Sequence, residues 1–474
     1  LDLGTAPDSR GERVWRGYIL IIGVILGSWI SVNLTRIVAS SSDDRLVSHY
    51  ESIRQGDLLV RYALALRGHN PRSHVRAAIE AYQSALPSPE AYRRIGVLKE
   101  FFLNESGRSE LLRVDNAEAL KDLSASAGRK LRAEAAIWRD ILDDKHLAPS
   151  RVRSYAKAIR FLDLGPLSEC ALSILYRHAD LVTEAKSAAL AARRAATIWA
   201  MKMAVTIGVV TLAGVAGVVA IVQFLTTQRV RFALAIRPRI QPSVLFISFI
   251  VCVVSLAVLG VCFDAIGYLF GIDSGSQAGA CIILGLNALA MLGSLALGVS
   301  TLRTMTRITG EDMAEAGFRP MSFRCAVFSG VVAYCATVLP VVVMLGVSYV
   351  LSNTLFRGVE TPPHPLEETV AQGGAAYLIA FVMAVVVAPV VEETVFRGFF
   401  YTALRTRTRP WAASLVSAAV FAAVHPTLPG QFLPIFALGV VLAITRERTG
   451  SLLPSIICHG LHNAVVVVIA GLVS

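Results

Sequence analysis

Two adjacent carboxylates, Glu392 and Glu393, lie in the run Val391-Glu392-Glu393-Thr394-Val395-Phe396-Arg397, inside an apolar stretch from near Ala375 to Leu404. An ionisable group at membrane depth costs roughly 2.5–3.5 kcal/mol on insertion scales unless it is paired or faces a polar cavity. Two in succession therefore need partners. Arg397 follows Glu393 at i+4, the spacing of an intrahelical ion pair. Glu392 is turned about 100° from Glu393 around a helix and can face a different neighbour. One carboxylate can then be neutralised structurally while the other stays available for chemistry. The later apolar spans carry Phe421 and His425, then His459, His462 and Asn463. His459 and Asn463, again at i and i+4, share a helical face and can converge on one group.

Depth along each helix can be counted from its basic end. Glu392 lies 13 residues from Arg405, roughly 20 Å at the helical rise. His425 lies 15 residues from Pro410, roughly 22 Å. His459 and Asn463 lie 11 and 15 residues from Arg448, roughly 16 and 22 Å. Polar groups on three helices thus share a depth, which independent core substitutions would not be expected to produce.

The elements that hold these residues are membrane spans. Of 474 residues, 54% are hydrophobic and only 17% charged, too apolar for a soluble protein of this length. Nine spans can be read, near 17–38, 203–225, 243–270, 277–301, 326–351, 373–403, 411–426, 431–445 and 452–472. The net charge of +11 does not indicate nucleic-acid binding, because many arginines lie in short loops between spans, where they set orientation. Loops 226–242, 302–324, 404–410 and 446–450 carry four, four, three and two arginines. The alternate loops are nearly free of them. This places the first group and residues 1–16 in the cytoplasm, with 17–38 as an uncleaved anchor and residues 42–196 outside, as in a bacterial inner-membrane protein. The seven cysteines show no paired spacing, so neither a disulfide framework nor a cysteine zinc site is indicated.

Residues 42–196 read as a separate domain of amphipathic helices. Apolar residues recur at three- and four-residue spacing, as in Ala77-Ala78-Ile79, Tyr82 and Leu86. The stretch from Ala77 to Leu98 loosely resembles a tetratricopeptide helix pair; an irregular helical bundle is the alternative. The expected fold is all-α: a polytopic bundle over 203–474, with this helical domain inserted before it.

The three motifs Glu392-Glu393-Thr-Val-Phe-Arg397, Phe421-Ala-Ala-Val-His425 and His459-Gly-Leu-His-Asn463 resemble the signature of the CPBP intramembrane proteases, the group that includes the type II CAAX prenyl endopeptidases and the bacterial Abi proteins. Order and spacing match, and the motifs lie within 373–474. The resemblance implies an intramembrane glutamic endopeptidase. Glu392 would be the general base, working with His425 to activate a water. His459 and Asn463 would stabilise the oxyanion. Glu393, Arg397 and Phe421 would support the site. No cofactor is expected. Zinc held by Glu392, His425 and His459 is the alternative, although the HExxH pattern is absent. Implied partners are membrane lipid, a peptide or membrane-protein substrate, and a protein partner for residues 42–196; nucleic acid is not among them.

Plainer readings apply elsewhere. His462 falls between signature positions and reads as an interhelical hydrogen-bonding group. Asp264 reads as reaching water and Asn287 as glue between helices. His364, Glu367 and Glu368 read as solvated loop residues, and 302–324 as an interfacial linker. Two other functions compete with proteolysis. An ion- or proton-coupled transporter would use the same buried charges as a path, but no internal symmetry supports it. A non-catalytic membrane scaffold would bind through the helical domain.

Overall fold

The computed structural model describes residues 44–65, 71–116, 125–143, 147–162, 164–226, 238–272, 276–354, 374–425 and 430–473. Among them the fold is helical, with an isolated β-bridge between Phe318 and Ser451. The chain divides into two compact units, Asp43–Val205 and Thr206–Leu472.

The first unit contains α1 (Asp44–Ala65), α2 (Pro71–Gln83), α3 (Pro89–Leu98), α4 (Ala125–Asp143), α5 (Pro149–Arg160), α6 (Ser168–His178) and the first part of α7 (Val182–Thr226). Proline stands at the first position of α3 and α5, where its missing N–H leaves no intrahelical bond unmade. The Ser88 hydroxyl caps α3 by accepting from the Ala91 N–H at 3.2 Å. The core includes fully buried Tyr82, Leu98, Trp138 and Ile141. The expected helix pair is present as α2 and α3, but it does not establish a tetratricopeptide repeat.

Asp57 of α1 organises this core. It accepts from the Tyr82 hydroxyl at 2.5 Å and from Arg94 Nε at 2.9 Å and Nη2 at 3.2 Å. Burial, reinforced by the Asp57 carboxylate, pushes the Tyr82 phenol well above its ordinary value, so it remains a donor. Tyr82→Phe is expected to destabilise this unit by about 1.5–3 kcal/mol, the worth of a hydrogen bond to a charged group. Urea-dependent proteolysis within 44–205 of the full-length protein reads this out, and an unchanged midpoint would contradict it.

The second unit contains α8 (Pro242–Leu269), α9 (Gln277–Thr309), α10 (Phe323–Thr354), α11 (Gly374–Arg405), α12 (Pro410–Ala423), α13 (Phe432–Thr449) and α14 (Leu453–Val473). Among the described residues, six helices are long and apolar enough to cross a membrane: α7, α8, α9, α10, α11 and α14. The expected number was nine. The first expected span, 17–38, lies outside the described residues, as do His364, Glu367 and Glu368. The seventh forms α12, which has only 14 residues, about 21 Å of helix. The eighth forms α13, whose last turns carry Arg446, Glu447 and Arg448.

Residues 302–324 tie several helices together. Residues 302–309 complete α9. Glu315 accepts from the Ile240 N–H at 2.8 Å, and Glu311 from the Gln241 N–H at 2.9 Å. These carboxylates satisfy donors where α8 begins, the end where the helix dipole favours negative charge. The Gly317 carbonyl accepts from the Leu452 N–H at 3.0 Å, and Arg446 donates to the Glu315 carbonyl at 2.8 Å. The loop thereby fixes α8, α13 and the start of α14 around α11. Aromatic rings of α8 and α11 (Phe246, Phe249, Phe396, Phe399 and Phe400), together with Phe421 of α12, form the core beside the site.

Candidate active site

The site gathers side chains from α11, α12 and α14 against the backbone of α13. Its shape comes from irregularity in α11. The turns Met383–Val387 and Thr394–Tyr401 are π-helical, on either side of the α-helical Ala388–Glu393. A π turn pairs each carbonyl with the N–H five residues on and appears often at functional sites. In the first, Met383 O accepts from the Ala388 N–H. The corresponding partner for Ala384 O would be residue 389, which is proline and has no N–H. The Asn463 side-chain amide donates to that carbonyl instead, at 2.8 Å. In the second, the Arg397 carbonyl accepts from the Thr402 hydroxyl at 3.1 Å, and the Phe396 carbonyl from Ser417 at 3.3 Å. Side-chain donors thus reach three carbonyls of α11.

Glu393 and Arg397 are completely buried and pair at 2.9 Å. The other terminal nitrogen of Arg397 donates to the Gly439 carbonyl at 3.2 Å. The guanidinium lies 4.3 Å above the Phe421 ring, within cation–π range. Gly439 lets α13 approach α12 closely, because a Cβ there would lie 3.0 Å from Ala418 Cα and Cβ. Glu393 also faces His459, whose Nδ1 is 3.0 Å from the same Oε1 that Arg397 engages. A carboxylate only accepts, so Nδ1 carries a proton.

Glu392 has a different setting. Its Oε2 is buried and has no hydrogen-bond partner among the described residues. The side chain retains 24% exposure. His459 Nε2 lies 3.8 Å and His425 Nε2 4.0 Å from that oxygen. His425 Nδ1 donates to the Phe421 carbonyl at 2.7 Å, which turns Nε2 toward Glu392. Phe421 packs edge-on against both imidazoles, with ring centroids 4.8 and 5.7 Å away.

The structure therefore brings Glu392, Glu393, Arg397, Phe421, His425 and His459 together, with Asn463 one helical turn along α14 and tied to Ala384. His462 is on the same helix and is half-buried. Asp264 and Asn287 are exposed in their helices. No group of three or more His, Cys, Asp or Glu among the described residues is arranged to hold a metal ion. Sequence reasoning did not anticipate the Ala384 and Gly439 carbonyls, Thr402 or Ser417. Pro389, inside a span, was the available signal for the first of these.

Comparison with known proteins bears on this region. Residues 374–465 match the family described as "Type II CAAX prenyl endopeptidase Rce1-like". The UPF0177 protein YbdI of Lactococcus lactis is 32% identical over 88 residues, which is 19% of this chain and 47% of that protein. The chain thus spans about half the length of this curated relative. No solved structure matches the chain. The matched segment contains every residue of the buried cluster, and through it the chain carries an Rce1-like domain of the type II CAAX prenyl endopeptidase family.

Proposed function

We propose that this integral membrane protein is an intramembrane endopeptidase in which Glu392 activates the hydrolytic water. The observation that carries this reading is the buried, unpartnered Oε2 of Glu392, faced by an imidazole Nε2 from each of two other helices. A polar separation of about 4 Å is one that a water can bridge. A water between Glu392 Oε2 and His425 Nε2 would meet two acceptors and direct its oxygen away from both. Glu392 takes a proton as that oxygen attacks the scissile carbonyl, and passes it to the amine as the C–N bond breaks.

The oxyanion needs donors. His459 Nδ1–H is committed to Glu393, so His459 donates from Nε2 only when it carries both protons. Glu393 would supply counter-charge to such a ring from behind, and Arg397 holds that carboxylate in position. Asn463 has two amide hydrogens. One goes to Ala384 O, and the second remains for the oxyanion. Preorganised donors of this kind are worth about 100- to 1,000-fold each in rate.

The reaction proposed uses no metal. Activity of the purified protein is expected to survive a tight chelator; loss in the chelator with recovery on adding zinc would overturn this. Comparison of membrane proteomes from cells carrying wild type or Glu392→Ala tests the function itself. Uncleaved products should accumulate in the variant, and their termini would show whether the bond lies beside a prenylated CAAX cysteine. Matching proteomes would favour the transporter or scaffold reading. The proposed orientation places the N-terminus in the cytoplasm and residues 42–196 outside, which a reporter fused within 120–150 would test.

A further inference from the structure

The first unit carries a groove of about 660 Å³ between α5, α6 and the start of α7. Buried Leu147, Val152 and Ala156 line its floor, and half-buried Tyr176 and Leu181 its sides. Phe161, where α5 ends, lines it too and is 81% exposed. A phenyl ring so exposed beside an apolar groove has the character of an interface anchor.

Charge around the groove is uneven. Arg153, Lys157 and Arg160 line it from α5 and are exposed, and among the described residues none forms an ion pair. Among the described residues, Glu184 is the one acidic residue of the lining. The three basic residues stand at i, i+4 and i+7, a stripe along one helical face about 10 Å long. A lipid headgroup concentrates its charge at one point. Distributed positive charge beside an apolar trough is instead complementary to a segment with apolar residues on one face and carboxylates spaced along the flank.

We infer that this groove docks an acidic, amphipathic protein segment, with its apolar face on Val152, Ala156 and Phe161 and its carboxylates along Arg153, Lys157 and Arg160. The inference does not depend on the protease reading. It is tested on the full-length protein in zwitterionic nanodiscs. The probe is a labelled helical peptide with Leu at helical spacing and Glu on the flanks, compared with a twin carrying Lys in place of Glu. The acidic peptide is expected to bind at least about tenfold more tightly than its twin, with affinity falling as salt rises. The triple variant Arg153→Glu/Lys157→Glu/Arg160→Glu should reverse the preference. Its changes are all at exposed positions and leave the core intact. Ala156→Trp, which fills the floor, should abolish binding, and Glu392→Ala should leave it unchanged. Equal binding of the two peptides, no binding of either, or no reversal in the triple variant would overturn the inference. So would oleate binding that depends on the three basic residues in the absence of peptide binding, which would assign the groove to lipid.

Discussion

Replacing Glu392 with alanine is expected to reduce peptide-bond cleavage by about 100- to 10,000-fold, the range for loss of a general base, while leaving the protein as stable as wild type or more so. The two halves of this expectation have one cause. Glu392 Oε2 is buried with no hydrogen bond among the described residues, so no protein donor repays its burial. A residue held for chemistry at the expense of the fold gives this opposite movement of activity and stability when removed. Glu392→Gln should behave like the alanine variant, because the amide keeps the size and loses the basicity. His425→Ala should also lower cleavage while the protein stays folded. Turnover of a reporter substrate, read alongside thermal unfolding in detergent, checks both quantities. A folded Glu392→Ala protein with cleavage within tenfold of wild type would remove Glu392 from the reaction.

Arg397→Ala is expected to destabilise the protein by about 3–5 kcal/mol, the cost of leaving one partner of a buried ion pair alone. The side chain has three engagements at once: Glu393, the Gly439 carbonyl and the face of Phe421. Its loss leaves a carboxylate with zero exposure held, among the described residues, by His459 alone. Arg397→Lys should recover little, because an ammonium cannot present two fixed N–H directions and a planar face together. Glu393→Gln should be milder, since the amide oxygen can still accept from Arg397 or His459. The measurement is again thermal unfolding, with accumulation in the membrane as a second readout. An Arg397→Ala protein that melts with the wild type would show that the pair is dispensable to the fold. Cleavage should also fall in Arg397→Ala, through loss of the support behind His459.

Much of the site was legible in the sequence because helical periodicity is rigid. Glu393 and Arg397 at i and i+4 had to share a face, and they pair. The separate facing of Glu392 followed from the rotation of one residue. Depth counting placed His425 and His459 near Glu392, and both approach it. What escaped depended on departures from that periodicity or on contacts between helices. The π turns of α11 shift the register of everything beyond them, and only Pro389 hinted at one. The bond from His459 to Glu393 joins two motifs that appeared to have separate tasks. Gly439 acts through its carbonyl and its missing Cβ, neither of which a residue type announces. Span counting is hardest where length decides: α12 and α13 are apolar enough to be noticed, but one is short and the other ends in charge.

The shortness of α12 bears on how the proposed hydrolysis would obtain water inside a membrane. A 14-residue helix covers about 21 Å of a hydrocarbon layer about 30 Å thick. His425 stands just past its end. In a bilayer the mismatch is met by local thinning or by hydration above the helix. Both bring bulk solvent toward the carboxylate, and hydrolysis consumes one water per bond broken. For the hydrolysis proposed above, a short helix would admit the second reactant, and lengthening α12 to span fully is expected to slow cleavage without altering a residue of the site.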